Sequence, residues 1–250
     1  MKILVTGSKG FFGRNLIYFL KEAGYKDILE YSRDNSEEEL RELTRDCGFV
    51  FHLAGVNRPK DPKDFYTGNT LLTEKILKAL EDNNNPAKVL LSSSVQAGLD
   101  NPYGASKRGA EEAVFSYGKR NEAPVYVYRY VNLFGRWSRP EYNTVIATFC
   151  HHIWRDIEIR IDDREKLLSL AYIDDVCGQI IRILETGIVI PPGEFVTFPP
   201  ALVYERKLGY IADTIREFKE TGRDRSDDPD EFVSKLYKTY ESFSPEIMAD

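Results

Sequence analysis

Ser92-Ser93-Ser94, followed by Tyr103 and Lys107, are the residues of this chain whose types and spacing point to chemistry. Tyr103 and Lys107 stand i, i+4 at the start of a helical pattern, so both side chains face one side. A phenol has a pKa near 10 and is a poor acid–base group at neutral pH. A nearby ammonium favours the phenolate and lowers that pKa. The expectation is a proton relay in which Tyr103 gives the proton, Lys107 tunes it, and Ser94 orients a carbonyl oxygen. On its own, Tyr-x-x-x-Lys is a common spacing on ordinary exposed helices. Its weight comes from the serine-ended strand before it and from a second motif at the N-terminus.

That motif is Thr6-Gly7-Ser8-Lys9-Gly10-Phe11-Phe12-Gly13, a G-x-x-G-x-x-G loop after a strand-like run and before a helix-like one. One glycine lets the backbone turn, another lets it approach a pyrophosphate, and the last lets helix and strand pack closely. The helix start then offers free N–H groups to phosphate. Gly7, Ser8, Lys9, Gly10, Phe11, Phe12 and Gly13 are therefore the expected dinucleotide contacts. A hydride-carrying dinucleotide beside Ser94, Tyr103 and Lys107 makes a carbonyl-reduction centre, with Lys107 also reaching the nicotinamide ribose. The second strand ends in Tyr31-Ser32-Arg33-Asp34. Arg33 suits a 2′-phosphate and favours NADP(H), with Lys9 assisting. Asp34 serves NAD if the strand ends one residue later.

The elements that must position these groups alternate. Strands are expected at Lys2–Thr6, Asp27–Ser32, Gly48–Leu53, Lys88–Ser92 and Val125–Val131. Helices are expected at Phe11–Glu22, Ser36–Asp46, Tyr103–Arg120 and within Asp64–Asn83, with Ser36 and Glu39 forming a capping box. Near-continuous apolar strands between helices predict an α/β fold with a Rossmann-type, doubly wound parallel sheet. Beyond residue 140 the spacing predicts helices at Asn143–Arg155, Ile173–Glu185, Arg206–Glu220 and Phe232–Ser242. Short strands are expected at Ile157–Ile161 and Leu167–Tyr172, and a solvated linker at Arg223–Glu231. Residues 1–135 read as the cofactor-binding domain, interleaved with later segments, and 136–250 as mainly a small α/β substrate-binding subdomain.

Composition excludes several classes. The chain has 34 Lys plus Arg against 40 Asp plus Glu, a formal net charge of −6, which weighs against nucleic acid as a partner. No apolar run approaches the roughly 20 residues of a membrane span, and Met1-Lys2-Ile3-Leu4-Val5 starts directly as a strand rather than as a signal peptide. Cys47, Cys150 and Cys177 read as reduced, buried residues of a cytoplasmic protein. No metal site is expected: His52 reads as a satisfied core histidine, and His151 and His152 are helix neighbours pointing about 100° apart.

With these motifs in hand, the chain resembles the extended short-chain dehydrogenase/reductase superfamily, the NAD-dependent epimerase/dehydratase family. His52-Leu53-Ala54-Gly55 is similar to the strand-end turn under the cofactor, which implicates Leu53, Ala54 and Gly55. Asn69 matches an asparagine that supports the active site. Asn132, in Val131-Asn132-Leu133-Phe134-Gly135, resembles the entry to the substrate domain, and Tyr172-Ile173-Asp174-Asp175-Val176 a late buttressing motif. Three strings carry a narrower resemblance, to capsular-polysaccharide reductases of UDP-N-acetyl-L-fucosamine synthesis: His52–Pro59, Ser92–Ala97 and Asn143–Cys150. It implies NADPH reduction at C4 of a UDP-4-keto-6-deoxy-2-acetamido sugar. It implies Ser92 at the cofactor, and Ser93, Gln96, Asn132, Asn143 and Val145 at the substrate. It also implies a homodimer built on helices around Thr70–Leu80 and Tyr103–Arg120. The resemblance also implies a metal-binding cupin acting at C3, which this chain does not include: a further domain of a longer protein, a separate protein, or absent. Val95-Gln96 stands where dehydratases of the superfamily carry Asp-Glu, so dehydration is disfavoured. A 4-epimerase retaining NAD and a non-catalytic NADP sensor are the alternatives on the same fold.

Overall fold

Ile3–Thr6 forms β1 with all four side chains buried, as an apolar run sandwiched between two helical layers requires. A computed structural model of the chain describes residues 1–142, 144–186, 195–198 and 202–244. After β1 come α1 (Phe11–Glu22), β2 (Ile28–Tyr31), α2 (Glu37–Leu43) and β3 (Phe49–His52). A short turn of helix, α3 (Lys63–Phe65), runs through a π-helical segment (Tyr66–Leu71) into α4 (Leu72–Asp82). Then follow β4 (Lys88–Ser94), a 3₁₀ turn (Val95–Gly98), α5 (Pro102–Asn121) and β5 (Val125–Tyr130). The later elements are β6 (Asn132–Phe134), α6 (Val145–Trp154), β7 (Leu167–Tyr172), α7 (Ile173–Thr186), β8 (Phe195–Phe198), β9 (Tyr204–Lys207), α8 (Leu208–Thr221) and α9 (Glu231–Glu241).

The chain falls into two compact units: Met1–Tyr130 with Gln179–Pro200, and Val131–Gly178 with Ala201–Asp250. The first contains a six-stranded sheet in the order β2-β1-β3-β4-β5-β8, every pair parallel. From β1 the chain goes outward to β2, then returns to lay β3 on the other side of β1. The strand order reverses between β1 and β3, which is where open α/β sheets bind ligands, outside the strands' carboxyl ends. One core of this unit packs Leu4, Val50, Val89, Leu91 and Val127 with Ile76, Leu80, Val114 and Tyr117 of the helices. Phe49, Phe51 and Tyr126 form a run of ring contacts, with Phe49 4.6 Å from Phe51 and 5.9 Å from Tyr126.

The second unit holds the three-stranded sheet β6-β7-β9, with β6 parallel and β9 antiparallel to β7. Phe134, Phe149, Ile211, Phe218, Phe232 and Leu236 centre its core. Trp154 stacks on Tyr240 at 4.9 Å and its indole N–H donates to the Tyr240 carbonyl at 2.8 Å.

Three local expectations need correction. Ile157–Ile161 is not a strand: it joins neither sheet, and Ile159 and Ile161 instead pack onto the core of the second unit. The helix expected from Arg206 begins at Leu208, because Tyr204–Lys207 pairs with β7 as β9. The stretch after α8 is irregular but more than a solvated linker. Arg225 bridges Glu217 at 2.7 Å and Asp228 at 2.6 Å, and the Asp228 side chain is 9% exposed.

Candidate active site

The glycine loop lies at the β1/β3 reversal. Gly7 has φ +71°, a left-handed conformation that L side chains rarely adopt, and a Cβ there would fall 2.8 Å from the Ala54 nitrogen. A Cβ on Gly13 would fall 2.2 Å from the Gly7 carbonyl oxygen, so the last glycine is what lets α1 close onto the loop. Gly10 meets only that carbonyl, at 3.1 Å, and is open outward. It is the N-cap of α1, which has neither a side-chain cap nor an acidic residue in its first turn. Backbone N–H groups of that turn are left to an anion. The cradle that a Cβ would fill and the uncapped, acid-free helix start fit a dinucleotide pyrophosphate. Other groups of the loop face the protein: Ser8 is buried, Phe12 meets Tyr130 edge-on at 5.3 Å, and the Phe11 backbone carbonyl accepts from the Asn15 side chain at 2.8 Å. Lys9 pairs with Asp34 at 2.8 Å, both well exposed, and Arg33 is exposed beside them.

The end of β4 meets α5 through three consecutive serines. The Ser94 hydroxyl hydrogen-bonds the Tyr103 phenol and accepts the Gln96 N–H at 3.2 Å. The Ser92 carbonyl accepts from the Lys107 ammonium at 3.0 Å. Ser93 donates to Glu111 at 2.5 Å. Tyr103, Lys107 and Glu111 are spaced i, i+4, i+8, so one face of α5 is tied turn by turn to one strand end. Sequence sets this up: Asn101 caps α5 by accepting the Gly104 N–H at 2.8 Å, with Pro102 in the first turn. Gly104 allows the close approach, since a Cβ would sit 2.3 Å from the Gln96 carbonyl oxygen.

Electrostatically the pair departs from expectation. Burial holds the Tyr103 phenol above its ordinary value, opposed by the Ser94 hydrogen bond. Lys107 does not pull it down: its ammonium lies 5.9 Å from the ring centroid and is engaged by the Ser92 carbonyl. Lys107 itself is pushed down to about 8 by burial, which Glu111 opposes.

A polar lattice joins this centre to the glycine loop. Asn69, in the π-helical segment, accepts the Val56 N–H at 2.9 Å and donates to the Val56 carbonyl at 3.0 Å and to the Ser106 hydroxyl at 2.9 Å. Ser106 donates on to the Tyr103 carbonyl at 2.8 Å, and Thr70 donates to the Ser106 carbonyl at 2.9 Å. A Cβ on Gly55 would lie 2.7 Å from Asn69 Oδ1 and 3.3 Å from Lys107 Nζ, so the bare backbone keeps that approach open. His52 bridges the lattice to β1, with Nδ1 2.8 Å from the Thr6 hydroxyl and Nε2 2.8 Å from that of Thr73. Thr73 spends its proton on the Asn69 carbonyl, so Nε2 carries the ring proton and Thr6 donates to Nδ1. Burial pushes His52 down to about 3, and it stays neutral.

Leu53 and Ala54 thus lie beside Gly7 of the glycine loop, and Gly55 beside Asn69. Of the substrate residues, Gln96 is exposed on the 3₁₀ turn, whereas Ser93 is buried on Glu111. Asn132 and Val145 belong to the second unit. Asn132 is exposed and donates to the Ser169 carbonyl at 3.2 Å; Val145 opens α6, whose N-cap Thr144 accepts the Ile146 N–H. Asn143 lies outside the described residues. Sequence reasoning missed Glu111 and Arg129. The one signal for Glu111 was its position four residues after Lys107. Among the described residues no group of three or more His, Cys, Asp or Glu could hold a metal ion, and no helix is long and apolar enough to cross a membrane.

Residues 3–196 match the model of the NAD dependent epimerase/dehydratase family. The chain belongs to that family. It is 40% identical over 248 residues to the UDP-2-acetamido-2,6-beta-L-arabino-hexul-4-ose reductase of Pseudomonas aeruginosa, across 98% of this chain and 66% of the relative. The structure of the capsular polysaccharide assembling protein CapF from Staphylococcus aureus superposes with a TM-score of 0.86 at 39% identity, again over 98% of this chain and 66% of the other. The chain therefore spans just under two thirds of the length of these relatives. Bordetella bronchiseptica WbmF, solved with NAD+, shares the fold at a TM-score of 0.82 and 19% identity.

Proposed function

We propose that this chain uses NADPH to reduce the C4 keto group of a UDP-activated 4-keto-6-deoxy-2-acetamido sugar. The observation that carries the reading is the Tyr103 phenol on the Ser94 hydroxyl, with buried Lys107 one turn on. The similarity to the Pseudomonas reductase supports the substrate class. When bound, the dinucleotide supplies the hydride. Ser94 and Tyr103 hold the carbonyl oxygen between two hydroxyls. Tyr103 is kept protonated by burial, so it is ready to give its proton to that oxygen as charge develops there. Lys107 faces the resulting phenolate as an ammonium and would hold the ribose hydroxyls of the bound dinucleotide. Val95-Gln96 beside them offers no acid–base pair for elimination of water.

Engagement of Asp34 by Lys9 supports NADPH over NADH, because the carboxylate that would take a ribose hydroxyl is already paired. Arg33 would then hold the 2′-phosphate. Asn132, Asn143 and Val145 take the nucleotide-sugar side. A second copy of this chain and a cupin acting at C3 are its partners, with the cytoplasm as its compartment.

The test is NADPH oxidation with a panel of UDP-4-keto-6-deoxy sugars. A reductase consumes NADPH stoichiometrically with the 2-acetamido member. Purification with tightly held NAD, and interconversion of C4 epimers without net oxidation, would replace the reading with a 4-epimerase.

A further inference from the structure

The Lys107 ammonium is enclosed, and its immediate hydrogen-bond partner, the Ser92 carbonyl, is uncharged. Among the described residues, these groups lie around it. Tyr103 and Glu111 lie on its own helix. From β3 comes His52, which is neutral, and from the π-helical segment Asn69. Arg129 comes from β5 and acts through Glu111. Glu111 is the one carboxylate of this set, and it is 3% exposed. A buried carboxylate persists as an anion only where it is paired and hydrogen-bonded. Here it is held from two strands. Arg129 clamps it with a fork, Nε to one oxygen at 2.9 Å and Nη2 to the other at 2.6 Å, and Ser93 donates to the first oxygen at 2.5 Å. Ser93 and Arg129 are register partners across β4 and β5, so the sheet presents both donors to the same carboxylate.

We propose that Glu111 is a positioning residue for Lys107: clamped by Arg129 and Ser93, its carboxylate supplies the counter-charge that holds the ammonium at the strand end, facing Tyr103. The idea rests on the reading of Tyr103 and Lys107 as a reduction centre. Glu111 itself acts through Lys107. Burial drives Lys107 toward the neutral amine and Glu111 opposes it, in the direction the geometry requires. The clamp matters because a loose carboxylate one turn away could turn to solvent, away from the ammonium. Arg129, whose side chain is 39% exposed, spans from that solvent edge to the buried oxygen pair.

The experiment is a pH titration of the Lys107 ε-carbon signal by NMR, on the full chain labelled with 13C-lysine, without added ligand, assigned by loss of the signal in Lys107→Met. It involves no turnover, so failure of the reductase reading leaves its result interpretable. The parental ammonium should titrate near 8. In Glu111→Gln, which keeps shape and loses charge, the midpoint should fall by about half a unit or more, the size of a single nearby charge. In Glu111→Asp, which keeps the charge but draws it back, it should fall by less. If Glu111→Gln does not fold, a downward shift in Glu111→Asp carries the test. A folded Glu111→Gln whose Lys107 midpoint matches the parent, or an unchanged midpoint in Glu111→Asp when that variant carries the test, would overturn the proposal and leave Glu111 a packing residue.

Discussion

Tyr103 is the group whose loss should stop chemistry while leaving the fold and the cofactor cradle intact. Tyr103→Phe keeps the ring, including its contact with Phe65 at 5.4 Å, and removes only the hydroxyl that meets Ser94. Reduction should fall by about 10²–10⁴-fold, the usual worth of general acid help, while NADPH affinity, read by fluorescence titration, changes by less than about tenfold. Lys107→Met should lower both. A second expectation concerns pH. Lys107 must carry its proton to work and is held near 8, so kcat/KM for the free enzyme should decline above about pH 8. A profile flat to pH 10 would separate Lys107 from the reaction. His52 gives a stability signature with the opposite limb. Its folded pKa, about 3, is below the ordinary value of 6.5, so the unfolded chain binds the proton first. The stability from burying a neutral His52 is present above 6.5 and is lost as pH falls from there toward 3. Urea unfolding of His52→Gln should show a shallower acid limb than the parent.

Tyr103, Lys107 and Ser94 were legible because their relation is local: helical spacing and a strand end place them without long-range information. The clamp on Glu111 was not, since it depends on the pairing of Ser93 with Arg129 across the sheet. The sign of the Tyr103 shift was misread for the same reason. Proximity in sequence suggested an ammonium beside a phenol, whereas burial of both groups and the Ser92 carbonyl decide the outcome.

Among the elements, α1 matches its expected bounds because its apolar spacing and the Gly10 start are both written in adjacent residues. The Ser36–Glu39 capping box likewise forms as read, with the Glu39 carboxylate accepting the Ser36 N–H at 2.6 Å. The π-helical turn that carries Asn69 was hidden within a uniform helical pattern, since one extra residue per turn leaves no mark in composition. β9 and the unpaired Ile157–Ile161 turn on which chain segment reaches β7, which periodicity cannot encode. The glycine loop supplies the element-level prediction. A methyl on Gly13 would meet the Gly7 carbonyl oxygen at 2.2 Å and its carbon at 2.8 Å, both backbone atoms that cannot swing away. Gly13→Ala should therefore destabilise the protein by about 1–3 kcal/mol, as overpacking does. It should also weaken NADPH binding by distorting the α1 start. Parental stability together with parental NADPH affinity would show that the loop yields without cost.

At the scale of the whole molecule the chain forms two units, one with the doubly wound sheet, the glycine loop and Ser94, Tyr103 and Lys107, the other with the smaller sheet, where Asn132 lies on β6 and Val145 on α6. Cofactor choice is a property of the first. NADPH should bind more tightly than NADH by about 1–3 kcal/mol, the worth of a charge-assisted contact, and Arg33→Ala should remove most of that difference. Equal affinities in the parent would return the ribose to Asp34. Reduction at C4 is tested most directly by the fate of the hydride. The chain is incubated with NADPH deuterated at the transferring C4 position and a UDP-4-keto-6-deoxy-2-acetamido sugar, and the sugar is read by mass spectrometry and NMR. One deuterium per product at C4, absent with Tyr103→Phe on the same timescale, is the expected result. Product formed without deuterium, or no product while bound NAD stays oxidised, would contradict it.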